Sequence, residues 1–253
     1  MKHLGKFSLH VKHYKATQVV GIDRHNRRLT EKHSNSCIDA EKSKENITIV
    51  PVKESLYKDV KARIEQEVIA KGNRVTKASV WVSEICCSLP KGISQEDSES
   101  YFKEIVKYFE NWLGKDNVMF ACIHRDETLQ HLHLAVTSIT TDGKLSRKQI
   151  WTRQKLIEIH DELPKILREK GFDVERGDRL EDLEDKSTIN LSLKEYKVFK
   201  EKAKLQNEFK ELVNDYNHLV DVYNQSYREC VELKQHNIQM AQKVIANCQA
   251  RTR

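Results

Sequence analysis

The chain has 253 residues, 38% of them apolar and 32% charged, with a formal net charge of +6 at neutral pH. That supports one good-sized core, or a smaller domain with an extension. No apolar run approaches membrane-spanning length, and the N-terminal MKHLGKFSLHVKH has no signal-peptide stretch, so a cytoplasmic protein without membrane insertion is expected. The six cysteines show no C-x-x-C spacing, which argues against both a thiolate zinc site and a disulfide framework.

Residues 6–12, KFSLHVK, alternate apolar and polar and predict a strand, while the polar run from Gly21 to Asn46 reads as a long functional loop. ITIV before Pro51 predicts a second strand, residues 55–70 a helix ending near Gly72, and ASVWVSEICCSL at 78–89 a third strand. A helix follows, with Tyr101, Phe102, Ile105, Phe109 and Trp112 at helical spacing and a stop at Gly114. VMFACIH and HLHLAVTSI read as a hairpin joined by RDETLQ, and residues 152–171 as an amphipathic helix bent at Pro164. These elements predict an α+β fold, a largely antiparallel sheet flanked by helices.

The acidic DRLEDLEDKS at 178–187 reads as a linker. Beyond it, Leu205, Phe209, Leu212, Tyr216, Leu219, Tyr223, Ser226, Cys230, Leu233, Asn237, Met240 and Val244 recur in 4-3 spacing. Such a seam predicts a long C-terminal helix that pairs in a coiled coil, either with a second copy or with an accessory protein, or folds back on its own domain. The expected division is 1–190 for the chemistry and 191–253 for the helix.

HRDETLQHLHLAV at 124–136 packs three histidines and two carboxylates into ten positions. In a strand, residues two apart share a face, so His131 and His133 point together, and a hairpin returns His124 beside them. Three imidazoles suit a divalent transition ion, with Glu127 as a ligand or an orienting group and Asp126 behind it. The spacing differs from HExxH, which disfavours a zinc protease. An exposed strand with alternating polar residues would need no metal.

The charge is uneven: the first 33 residues carry eight Lys/Arg against Asp23 and Glu31, and KLSRKQIWTRQK at 144–155 carries five with no acid. Such segments fit phosphate neutralisation, with Asn26, Arg27, Lys32, Lys144, Arg147, Lys148 and Arg153 as candidate DNA contacts. Within IDRHNRRLTEKHSNSCID, His25 and His33 are candidate nucleophiles or acid/base groups, Arg27 and Arg28 can meet phosphate oxygens, and Asn26 and Asn35 can orient them.

HNRR at 25–28 with HSNSCID at 33–39, HRDETLQHLHLAV, DGKLSRKQ at 142–149 and GFDVERG at 171–177 together resemble the plasmid mobilisation relaxases of the Mob/Pre (MobV) type. These are related to the histidine-rich HUH endonucleases, and the resemblance covers roughly residues 1–200. It implies a metal-dependent strand transferase that nicks an origin of transfer with a single-stranded segment and retains the 5′ phosphate. It implies metal ligation by His124, His131 and His133, with Glu127 beside them, phosphate positioning by Arg28, and His25 as the nucleophile. The implied cofactor is a divalent ion, Mn2+ foremost, with Mg2+ or another transition metal as alternatives. Gln130 stands where proline commonly precedes the paired histidines, and the tail lacks an expected histidine. A rolling-circle replication initiator and a non-catalytic DNA-binding or assembly protein are the competing readings.

Overall fold

The computed structural model describes residues 4–30, 37–179 and 193–251, and the chain divides into two units, Met1–Arg179 and Leu180–Arg253. The first unit begins with β1 (Gly5–Phe7), β2 (Leu9–Lys15), α1 (Ala16–Asn26), β3 (Ile47–Val50), α2 (Leu56–Ile64), β4 (Val80–Ser88) and α3 (Ser98–Leu113). It continues with β5 (Val118–His124), β6 (His131–Val136), the short α4 (Arg147–Ile150), α5 (Arg153–Glu169) and β7 (Val174–Arg176). Five strands form an antiparallel sheet in the order β2-β4-β6-β5-β3, and β1 pairs with β7 in a small parallel sheet. This is the expected α+β fold with a largely antiparallel sheet.

Strand alternation gives the two sheet faces different work. Ile85, Cys87, Leu132, Leu134, Ala121 and Ile123 face a core closed by α3 and α5 through Tyr101, Phe102, Ile105, Phe109, Ile159, Leu163 and Leu167. Each fully buried large side chain there contributes roughly 1.5–3 kcal/mol. On the other face, Val82, Phe120, Cys122 and Ala135 pack under Val19 and Ile22 of α1 and Leu56, Val60 and Ile64 of α2. The same face carries Glu84, His124, His131 and His133: Ser88 pairs with His131, Cys86 with His133, and His124 with His131.

Helix starts follow side-chain capping where the sequence offers it. Ser55 Oγ accepts the Lys58 N–H at the start of α2, and Thr152 Oγ1 accepts the Lys155 N–H at the start of α5. α5 continues through the buried Pro164, and a π-helical turn at Glu65–Ile69 extends α2 with Val68 still buried.

Two expectations are corrected. The strand over 6–12 breaks at Ser8 into β1 and β2, which belong to different sheets, and β2 runs on to Lys15. The loop expected from Gly21 begins instead as the second half of α1. That helix buries only Val19, Ile22, Asp23 and Asn26, and Lys15 is its N-cap. A stripe with two apolar members and no Ser, Thr, Asp or Asn at its start leaves little periodicity to read. The expected contributions of Lys32, His33 and Asn35 lie outside the described residues, as does most of the acidic stretch at 178–187.

In the second unit, α6 (Leu193–Arg251) is one helix of 59 residues. Its apolar seam residues stand exposed, from Leu205 at 59% to Val244 at 58%. Among the described residues, no helix is long and apolar enough to cross a membrane.

Candidate metal centre

The hairpin of β5 and β6 gathers the three expected histidines. Ring centroids are 5.2 Å apart for His124 and His131, 4.6 Å for His124 and His133, and 4.9 Å for His131 and His133. In each ring one nitrogen meets an acceptor, which assigns the tautomer. Nε2–H of His124 donates to the Asn26 carbonyl at 2.9 Å, Nδ1–H of His131 to the Leu129 carbonyl at 2.8 Å, and Nδ1–H of His133 to Glu84 Oε1 at 3.0 Å. The lone pairs therefore fall on His124 Nδ1, His131 Nε2 and His133 Nε2. His133 Nε2 is buried without a hydrogen-bond partner. A buried orphan acceptor beside two further imidazole lone pairs fits a divalent ion, and the fixed opposite nitrogens are the support that metal-bound histidines require.

Ligand atoms of His25, His124 and His133 lie within 4.8 Å of one another, as do those of His124, Glu127 and His131. Glu127 Oε1 stands 3.9 Å from both His124 Nδ1 and His131 Nε2. His25, at the end of α1, sets its ring edge-on to His124 at 5.8 Å and to His133 at 5.6 Å. Burial, then the charges of His133 and Arg28, lower the His25 pKa. Burial above all lowers His131 and brings His124 down to about 2, which leaves both as neutral imidazoles.

Glu84 was not foreseen. Its buried carboxylate accepts from His133 Nδ1, from Asn26 Nδ2 at 2.7 Å and from the Tyr14 hydroxyl at 3.0 Å. Burial pushes the Glu84 pKa up, but the hydrogen bonds and charge of His133, with those from Asn26 and Tyr14, outweigh it and hold the pKa at about 2. A carboxylate inside the otherwise apolar VWVSEICCS was the available signal, because a charge is rarely buried without partners. Tyr14, spending its proton on Glu84, has its own pKa raised by burial and then by the Glu84 charge.

The remaining expected residues divide. Asn26 is buried behind the histidines, with its amide on Glu84 and its carbonyl on His124, so it braces the cluster instead of facing DNA. Arg27 lies 3.5 Å from Asp23. Arg28 is buried on the Asp126 carboxylate, with Nε and Nη2 each at 2.8 Å, and Nη2 reaches Glu127 at 2.7 Å. Lys144 pairs with Asp142 at 2.6 Å, and Lys148 and Arg153 stand exposed along α4 and the start of α5. Arg147 is half-buried close enough to His13 to lower its pKa, after burial. Among the described residues, these four cations make no hydrogen bond to the histidine cluster.

Asp126 also accepts from Ser43 Oγ at 2.6 Å and Asn46 Nδ2 at 2.9 Å, so it ties three distant segments together. Burial pushes Asp126 up, but its hydrogen bonds from Arg28, Ser43 and Asn46 hold its pKa well below the carboxylate range. Its folded value is depressed, so its stabilisation is complete above the unfolded value of about 4 and fades as pH falls further. The histidines act earlier: with folded pKa values below 6.5, they cost stability once the unfolded chain takes up protons, from about pH 6.5 downward. We expect the urea midpoint of chelator-treated protein to fall between pH 7 and pH 5. Asp126→Ala, which leaves a buried guanidinium short of its main partner, should cost about 3 kcal/mol, roughly 6–12 °C in Tm. A midpoint unchanged by acid and an unchanged Tm would contradict this account.

Residues 6–198 match the family model Mob_Pre, described as plasmid recombination enzyme. A plasmid recombination enzyme of Lactiplantibacillus plantarum is 35% identical over 195 residues, covering 75% of this chain and 52% of the relative. One from Bacillus thuringiensis is 33% identical over 181 residues, covering 69% of this chain and 40% of the relative. The chain thus spans about half the length, or less, of these curated relatives. Among solved structures, the Mn-bound MobM relaxase domain (MOBV; Mob_Pre) with plasmid pMV158 oriT DNA superposes with a TM-score of 0.68 at 26% identity. That match covers 76% of this chain and 97% of that relaxase-domain chain. The family model spans most of the chain, including every residue of the histidine cluster, and the chain belongs to the Mob_Pre family of plasmid recombination enzymes.

Proposed function

We propose that the chain is a metal-dependent DNA relaxase that nicks one strand of a plasmid origin of transfer and holds the 5′ phosphate on His25. The observation that carries this reading is the packing of the His124, His131 and His133 rings against one another beside a fourth imidazole, His25. His124 Nδ1, His131 Nε2 and His133 Nε2 would hold the ion, with Glu127 near. Mn2+ is the ion of the MobM structure and suits this donor set. A divalent ion bound here supplies positive charge against the oxygens of the scissile phosphate.

The chain's own residues supply the rest. Glu84 and the Asn26 carbonyl fix the ring orientations of His133 and His124. Burial above all, with the neighbouring charge of Arg28, keeps the His25 imidazole neutral, with a lone pair able to attack phosphorus. The new P–N bond forms as the P–O3′ bond breaks, the phosphorylated imidazole gives up the proton of its other ring nitrogen to solvent, the 3′ oxygen takes one up from solvent, and the resulting 3′ hydroxyl can later reverse the exchange. Lys12, exposed on β2 opposite Glu84, offers a charge for the DNA backbone on the same sheet face as the histidines. Lys144, Lys148 and Arg153 provide a second such surface. Recovery of the strand joined through its 5′ phosphate to His25 supports this reading, and a free 5′ phosphate at the nick refutes it. The cytoplasm is the expected place of action.

The exposed 4-3 seam of α6 fits a second copy of this chain, since its long apolar run matches itself. Residues 1–190 are then an independently folding nicking domain. In analytical ultracentrifugation the full chain should sediment as a dimer and a version ending at residue 190 as a monomer. Equal monomeric masses per chain would exclude the homodimer.

A further inference from the structure

The Arg28 guanidinium stands against the atoms expected to hold the metal. Its Nη2 gives one N–H to Asp126 Oδ1 at 2.8 Å and shares the other between Glu127 Oε1 at 2.7 Å and His124 Nδ1 at 3.0 Å, while Nη1 donates to the His25 carbonyl at 3.1 Å. Nδ1 of a neutral imidazole has a single lone pair, and the other nitrogen of His124 is already committed to the Asn26 carbonyl. One lone pair serves one partner. We infer that Arg28 Nη2 and a divalent ion compete for the His124 Nδ1 lone pair, so that Arg28 limits how tightly the chain holds its metal.

The surroundings keep the competitor in place. Asp126 grips the guanidinium through Nε and Nη2, and is itself fixed by Ser43 and Asn46. Arg28 is also, among the described residues, the one non-glycine with positive φ, at 53°. That conformation turns the chain at the end of α1, and for an arginine it persists only where its surroundings impose it. The expected phosphate role gives no reason for Nη2 to lie on a ligand nitrogen, whereas competition does. An ion that must displace a charge-assisted hydrogen bond binds more weakly and exchanges more readily.

This inference rests on the metal reading above, and the test separates the two. Mn2+ binding by the full chain would be measured by isothermal titration for wild type, Arg28→Lys, Arg28→Gln and the His131→Ala/His133→Ala double variant. Lysine keeps the charge, but its one ammonium cannot serve Asp126, Glu127 and His124 together. Competition predicts that both Arg28 variants bind Mn2+ about tenfold more tightly than wild type. Tighter binding by Arg28→Gln alone would show through-space repulsion without competition, and no tightening in either would also overturn the inference. Undiminished binding by the double histidine variant would overturn the metal reading itself. A crystal structure of the wild-type chain loaded with Mn2+ needs no variant to fold. Nη2 withdrawn from His124 Nδ1 is expected, and the 3.0 Å contact persisting beside a bound ion would refute the proposal.

Discussion

Replacing His131 and His133 together by alanine should abolish Mn2+ binding and DNA cleavage while leaving DNA binding through the basic surfaces largely intact. Loss of a residue that only supports a metal ligand costs roughly 10- to 100-fold in affinity or activity. Loss of two ligands from a set of three costs more. The fold should survive, because the core partners on β6 are Leu132, Leu134 and Val136, which point to the opposite face. The proposed DNA contacts are Lys12, Lys144, Lys148 and Arg153, none of which needs the histidines for its position, so the salt dependence of DNA binding should be unchanged. Filter binding against salt, beside calorimetric titration with Mn2+, reads both parts. A double variant that still cleaves would remove the histidines from the chemistry.

The second large effect concerns the attacking group. His25→Ala should lower covalent attachment to DNA by about 10^4 or more, as expected when a nucleophile is removed. Tyr14→Phe should keep most of it. Tyr14 donates its hydroxyl to Glu84 at 3.0 Å, and burial and the Glu84 charge push its pKa away from the phenolate form. Its role is to help fix Glu84, and through it His133, so its removal should weaken Mn2+ binding modestly. His25 is edge-on to two of the ligand rings and kept neutral. Gel retention of a labelled oligonucleotide under denaturing conditions measures both variants.

How much of this could be read from the sequence depends on the range of the interactions. The clustering of His124, His131 and His133 was legible because alternation in β6 and a six-residue connection to β5 place them together through local geometry alone. The sheet and the flanking helices α3 and α5 were legible for the same reason, since Ile105, Phe109, Ile159 and Leu163 recur at helical spacing. α1 was not, because its stripe is narrow and its N-cap is a lysine instead of Ser, Thr, Asp or Asn. Neither were the partners of Arg28 and Glu84. Asp126 is 98 residues from Arg28 and Glu84 is 49 from His133, and pairings of that separation leave no periodic trace. Asn26 was therefore expected at the DNA, and the structure buries its side chain on Glu84.

The most direct test is peptide mass spectrometry of the protein–DNA adduct formed with Mn2+ on a supercoiled plasmid carrying the DNA that flanks the coding sequence. The account predicts one nucleotide-modified peptide, containing His25 and bearing an acid-labile phosphoramidate, and no adduct when the ion is chelated. Modification at Tyr14, or an adduct formed equally well in chelator, would contradict it.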